Sequence, residues 1–224
     1  MGWCDKNWCN ITFVVLISAI SISSFIPPVH GFLVDPAHDP QTLESLIHNA
    51  SVRALANHHT GTKVNVPLPS NLKGVKASVI RIRSGTLWQQ GTNFSSFIIP
   101  PKVIPFPFVR RVALVGQNLG NWSTYYYNVP GYTLVAPVVG LTAFNATDTK
   151  AFGNVSLKLV EDSSDPILVH FPRIKQVKHP RALKCVKFLQ GGLVVLSSLM
   201  NNSMCATRSD GHFSVLAPVE AEKK

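Results

Sequence analysis

From residue 75 to residue 216 the chain never sustains a helical apolar period. It is a succession of short runs rich in Val, Ile, Thr and aromatics, cut by Gly, Pro and Asn. Such runs bury one face at a time and cannot form long helices, so the segment is restricted to pleated strands joined by tight turns. The runs fall at 75–83, 94–99, 109–115, 123–128, 132–140, 154–160, 167–171, 185–189, 193–199 and 212–216, and Gln190-Gly191-Gly192 reads as a hairpin turn between two of them. Many short strands with no alternating helices define a mainly β chain, an antiparallel β-sandwich of jelly-roll-like or Greek-key type. At 46% hydrophobic and 14% charged residues there is ample apolar material for its core.

One helix precedes the strands. "DPQTLESLIHNASVRALANHHTG" offers Asp39 as N-cap, Pro40 at the first helical position and Gly61 as a stop. Leu43, Leu46, Ile47, Ala50 and Leu55 supply its apolar stripe. The expected organisation is a signal peptide over 1–31, a helical segment over 32–62, a β-sandwich ectodomain over 63–217 and a frayed tail over 218–224.

The leader reading rests on "ITFVVLISAISISSFI", which follows Lys6, carries no charge and ends at Pro27-Pro28 before a cleavage position after Gly31. Sixteen residues fall short of the ~20 that span a bilayer. An uncleaved signal-anchor is the alternative. The most apolar later run, "GGLVVLSSLM", has strand length. Secretion also accounts for the glycosylation acceptors at Asn49, Asn93, Asn121, Asn145, Asn154 and Asn201, besides Asn10 in the leader. Fourteen asparagines followed at random by Ser or Thr would give roughly two acceptors, against the seven present. Beyond the leader only Cys185 and Cys205 remain. In an oxidising compartment such a pair forms one disulfide, with two free buried thiols as the alternative.

Charge is unevenly distributed within a formal net charge of +10. No Asp or Glu occurs from Ser45 to Thr147, while Arg53, Lys63, Lys73, Lys76, Arg81, Arg83, Lys102, Arg110 and Arg111 all fall there. A second basic cluster runs through "HFPRIKQVKHPRALKCVKF". For an extracellular chain this field favours an acidic polysaccharide or an anionic surface over nucleic acid; solvated strand edges are the plainer reading.

Catalytic patterns are missing. There is no Gly-x-Ser-x-Gly elbow, His-Glu-x-x-His, phosphate loop or Cys-x-x-Cys pair, and the sparse carboxylates do not group as a glycosidase pair. The chain is therefore expected not to be an enzyme and to need no cofactor or metal. Glu161, Asp162 and Asp165 read as a turn rather than a calcium loop, and His58-His59 as a solvated helix end.

The stretch "GQNLGNWSTYYYNVPGYT" carries the candidate ligand-binding residues Trp122, Tyr125, Tyr127 and Tyr132. A turn at Asn128-Val129-Pro130-Gly131 would place Tyr127 opposite Tyr132 and Tyr125 opposite Leu134 in a hairpin, with these side chains on one face. That face either stacks on sugar rings or belongs to the sandwich core.

Long strings, "TGTKVNVPLPSNLKGVKASVIRIRSGTLWQQG", "IPFPFVRRVALVGQNLGNWSTYYYNVPGYTLVAPVVGLTAF" and "NNSMCATRSDGHFSV", together with the helix text, resemble the plant proteins grouped as the domain of unknown function family 1191. The resemblance implies a plant source, a signal peptide and a β-rich ectodomain, and it matches Cys185 and Cys205 to the family's late cysteine pair. It brings no activity or catalytic residue. It further implies a single membrane span and short tail after the ectodomain, neither of which precedes Lys224, so the expectation is a secreted form or a chain lacking its membrane anchor. The functional expectation is an extracellular glycoprotein ectodomain binding a cell-wall or other extracellular ligand, an acidic glycan in particular. The alternatives are a structural or protein-interaction ectodomain and a cell-wall hydrolase.

Overall fold

A computed structural model describes residues 30–31, 40–148, 156–161, 165–201 and 203–219. The apolar leader, the Asp39 cap, the Asn154 acceptor and Asp162 lie outside these residues.

Strand β1 (His30–Gly31) is followed by helix α1 (Pro40–Leu55), then β2 (Lys63–Asn65), β3 (Lys76–Arg83), α2 (Ser84–Gln90), β4 (Thr92–Phe94), β5 (Phe97–Ile99), β6 (Val103–Phe106) and β7 (Arg111–Asn118). A short helix α3 (Ser123–Tyr126) leads to β8 (Tyr132–Leu134), β9 (Val139–Asn145), β10 (Ser156–Glu161), β11 (Ile167–His170), β12 (Lys184–Phe188), β13 (Leu193–Ser198), β14 (Met204–Thr207) and β15 (Gly211–Pro218). All pairings are antiparallel. The large sheet runs β1-β13-β12-β15-β9-β7-β3-β2, with β8 beside β15 and β10 bridging β9 to β6, and a small sheet runs β14-β11-β5-β4.

The two sheets enclose one apolar core, with Phe94, Phe97 and Ile99 from the small sheet meeting Val112, Leu114, Leu141 and Phe213 from the large one. The large sheet's other face is covered by α1, through Leu43, Ile47, Ala50 and Leu55 against Val79, Ala113 and Val115. A strand sandwiched on both sides has no wet face. That is why β7 buries all six residues from Val112 to Gln117 instead of alternating. The Cys185–Cys205 disulfide, Cα–Cα 5.7 Å, ties β12 of the large sheet to β14 of the small one. Closing a loop of about twenty residues contributes about 3 kcal/mol.

The expected mainly β fold with an N-terminal helix is what the chain adopts. Four local expectations are corrected. Leu46 is not on the buried stripe of α1; it is exposed, and Ser51 takes a buried place. The runs 94–99 and 132–140 each divide in two, the first at a Ser95-Ser96 hairpin turn. Most consequentially, 123–128 is not a strand. Ser123 is buried; its hydroxyl donates to the Gly120 carbonyl (2.7 Å) and accepts from the Val138 N–H (2.8 Å). This anchor folds Gly120–Tyr126 into successive helical turns despite three consecutive tyrosines with strand propensity. Helix α2, unexpected from sequence, packs Leu87 into the core and stops at Gly91 (φ 62°), where a Cβ would sit 2.2 Å from the Ile99 carbonyl oxygen.

Candidate functional site: an arginine-lined hollow

Strands β3 and β7 pair along their whole length, and the register sets Arg83 directly opposite Arg111. Counting back along β3, Ala77 and Val79 face helix α1, so alternation puts Arg81 and Arg83 on that same side. Arg81 is buried and its Nη2 donates to the carbonyl of His58, just past the end of α1. Arg83 lies two residues further on and is exposed, with Arg111 half-buried beside it. Like charges at directly opposed positions are destabilising unless something neutralises them. Neither arginine forms an ion pair among the described residues.

The start of α2 is pinned across this corner. The Ser84 hydroxyl donates to the Val109 carbonyl (2.5 Å), and the Ser84 N–H donates to the Arg110 carbonyl (3.2 Å). Between α2 and the segment before β7 lies an open hollow of about 410 Å³, lined by Arg83, Gly85, Thr86, Gln89, Phe108, Arg110 and Arg111. Phe108 at its rim is 64% exposed and neighbouring Phe106 65%. No carboxylate is among the described lining residues. Three guanidinium forks, an amide, a hydroxyl and a bare ring suit a planar anion carried on a hydrophobic framework.

The four aromatic residues expected to bind ligand do not share a face. The hairpin expected to align them is absent: Tyr132 pairs with Pro218 and Leu134 with Leu216, on β15. The Pro-Gly turn spans Val129 to Tyr132, closed by the Tyr132 N–H to the Val129 carbonyl (3.0 Å), with Gly131 at φ 77°. Trp122 and Tyr125 meet edge to face at 5.4 Å, and the Trp122 indole N–H donates to the Lys73 carbonyl (2.9 Å). Tyr125 is 51% exposed. Tyr127 turns inward, its ring centroid 4.4 Å from Phe188 and 5.6 Å from His212.

That inward side holds a polar cluster. His212 Nε2 lies 3.3 Å from Glu44 Oε1 of α1, and the Gln117 amide bonds the same ring nitrogen. Burial pushes the His212 pKa down to about 4 and, aided by the Glu44 carboxylate, raises the Tyr127 phenol well above its usual range. Gly140 makes the room: a Cβ there would lie 2.5 Å from Gln117 Nε2 and 2.7 Å from His212 Cδ2. The cluster joins α1 to the sheet.

His58 caps the end of its helix, its Nδ1 bonding the Ala54 carbonyl at 2.8 Å. Among the described residues no three His, Cys, Asp or Glu side chains group as metal ligands. The acceptors Asn49, Asn93, Asn121 and Asn201 are exposed, whereas Asn145 is half-buried with its Oδ1 accepting from the Thr147 N–H (3.0 Å). The lining residues Thr86, Gln89 and Phe108 were not singled out by sequence, although "FPFVRR" and "RIRSG" place arginines beside aromatics and a turn.

The geometry defines a class: a helix-backed antiparallel β-sandwich with a basic, aromatic-rimmed surface hollow. The family model described as "Protein of unknown function (DUF1191)" matches residues 37–218, and the chain belongs to that family. No curated protein matches the chain.

Proposed function

We propose that this chain is a non-catalytic extracellular glycoprotein module that binds an acidic polysaccharide, a chain of uronate sugars, in the arginine-lined hollow. The carrying observation is the cross-strand pair Arg83 and Arg111 facing an open hollow with no carboxylate among its described lining residues. Guanidinium forks grip carboxylates in a bidentate way, and Phe108 offers an apolar ring against the sugar's carbon face. The acid-free stretch from Ser45 to Thr147 extends the positive field along a polymer. The hydrolase reading lacks support here, because glycoside hydrolysis uses two flanking carboxyl groups and the described lining offers none. The exposed pair Phe106 and Phe108 favours a second reading, protein docking at the same corner.

Titration of the folded chain with oligogalacturonate, beside a neutral glucan of equal length, tests the proposal. Expected is binding to the uronate alone, weakening steeply with salt and weakened roughly thirtyfold in R83Q/R111Q. Equal affinity for both sugars, or none for either, would remove the acidic-glycan reading and leave the docking one.

A further inference from the structure

The small sheet has an outward face as well as a buried one. Phe94, Phe97, Ile99, Val169 and Cys205 point into the core, so alternation sends Asn93, Ile98, Leu168 and Ala206 outward. The registers align these four residues in a single row across all four strands, with Asn93 paired to Ile98, Ile98 to Leu168 and Leu168 to Ala206. The row is apolar except at Asn93, and Ile98 is 37% exposed. Among the described residues β4, which carries Asn93, is also an edge strand, with one side of its backbone open to pairing. Asn93 is exposed, Ser95 of its acceptor triplet sits exposed in the hairpin turn at φ 57°, and Gly116 opposite leaves space where a Cβ would lie 2.7 Å from Ser95 Cβ.

We propose that Asn93 carries an N-linked glycan whose innermost sugars lie over Ile98 and Leu168, covering the outward apolar row and closing the β4 edge to other strands. The occupant is fixed by the register: a sugar on Asn93 emerges beside Ile98 in the same cross-strand row, within reach of its side chain. The sugar's apolar carbon face covers the aliphatic side chains while its hydroxyls stay in water, and its bulk prevents a second strand from adding to β4. At the opposite edge, exposed Asn201 (φ 48°) lies in the turn leading into β14, so a second acceptor flanks the same face. The inference rests on the reading that the chain enters the secretory route.

The full chain, expressed through the secretory route of a eukaryotic host, tests this by glycopeptide mass spectrometry and by stepwise trimming of the folded protein. Expected is sugar on Asn93. An endoglycosidase that leaves one N-acetylglucosamine should leave the protein monomeric. Removal of that last sugar, or N93Q, should give a several-fold rise in anilinonaphthalene sulfonate fluorescence and self-association, both reversed by adding I98S. An empty Asn93 beside occupied acceptors elsewhere would overturn the inference and leave secretion standing. Sugar on no acceptor would remove both. Unchanged dye binding and monomeric state after complete deglycosylation would overturn the covering role.

Discussion

Strand β7 has an aromatic neighbourhood at each end, and the two behave in opposite ways. At its start Arg111 lies with Arg83, Arg110 and Phe108 around an open hollow. At its far end, about 24 Å away by strand rise, Asn118 leads into Trp122 and the three tyrosines. The tyrosine end is richer in aromatic rings, but its groups are engaged in the fold: the Trp122 N–H bonds Lys73, the Ser123 hydroxyl bonds Gly120 and Val138, and the Tyr127 ring packs on Phe188 and His212. The arginine end has fewer rings and leaves like charges side by side with an exposed ring next to them. Unspent donors, rather than aromatic density, distinguish a surface that can bind from one that holds the molecule together.

The sharpest test removes an aromatic ring from the packed end. Tyr127→Ala should cost about 3 kcal/mol of stability through the cavity left against Phe188 and His212, read as a lowered Tm, with uronate binding by the remaining folded protein unchanged. Acid should act at the same end. His212 titrates near its ordinary value when unfolded and at about 4 when folded, so the unfolded chain takes up its proton first. Stability is complete above about pH 6.5 and falls between there and about pH 4, by about 3 kcal/mol for this group. Denaturant titrations across that range should show the slope, and His212→Gln should flatten it while keeping a partner for Gln117.

The arginine end should respond in the opposite sense. R83Q/R111Q should weaken uronate binding by about 2 kcal/mol, roughly thirtyfold, by isothermal titration. Its Tm should stay level or rise slightly, because the opposed positive charges are gone. Lysine at both positions should retain the salt-dependent attraction but lose most of the affinity that depends on the guanidinium fork.

These contrasts explain what the sequence made legible. Texture gave the strands, and Pro40 with the apolar spacing of Leu43, Ile47, Ala50 and Leu55 gave α1, which ends at Leu55, well before the expected Gly61 stop; cysteine count gave the bridge between Cys185 and Cys205. Arg83 and Arg111 each stood in the basic stretch, but only the β3–β7 register brings them together, and register is not written locally. The tyrosine stretch misled for the complementary reason. Its strand propensity is strong, yet one buried hydroxyl, Ser123, reaching a strand that begins at Val139, overrides it. Leu46 matched the helical spacing of its neighbours and still faces solvent, since the sheet beneath α1 covers a narrower stripe than the apolar pattern allows.

The smallest expected effect decides which end of β7 meets the ligand. Tyr125 touches Trp122 and Tyr126 edge to face and is half exposed, so Tyr125→Ala forfeits ring contacts at the surface and opens no core cavity. Stability should fall by no more than about 0.5 to 1 kcal/mol, and uronate affinity should stay as it is. A loss of affinity as large as that of R83Q/R111Q, with Tm unchanged, would move the binding surface to Trp122 and Tyr125. The opposed arginines, without an ion pair among the described residues, would then need another explanation, such as attraction of the polymer from a distance, and the affinity remaining in 0.5 M salt (about 4 Å Debye length) would distinguish that attraction from contact.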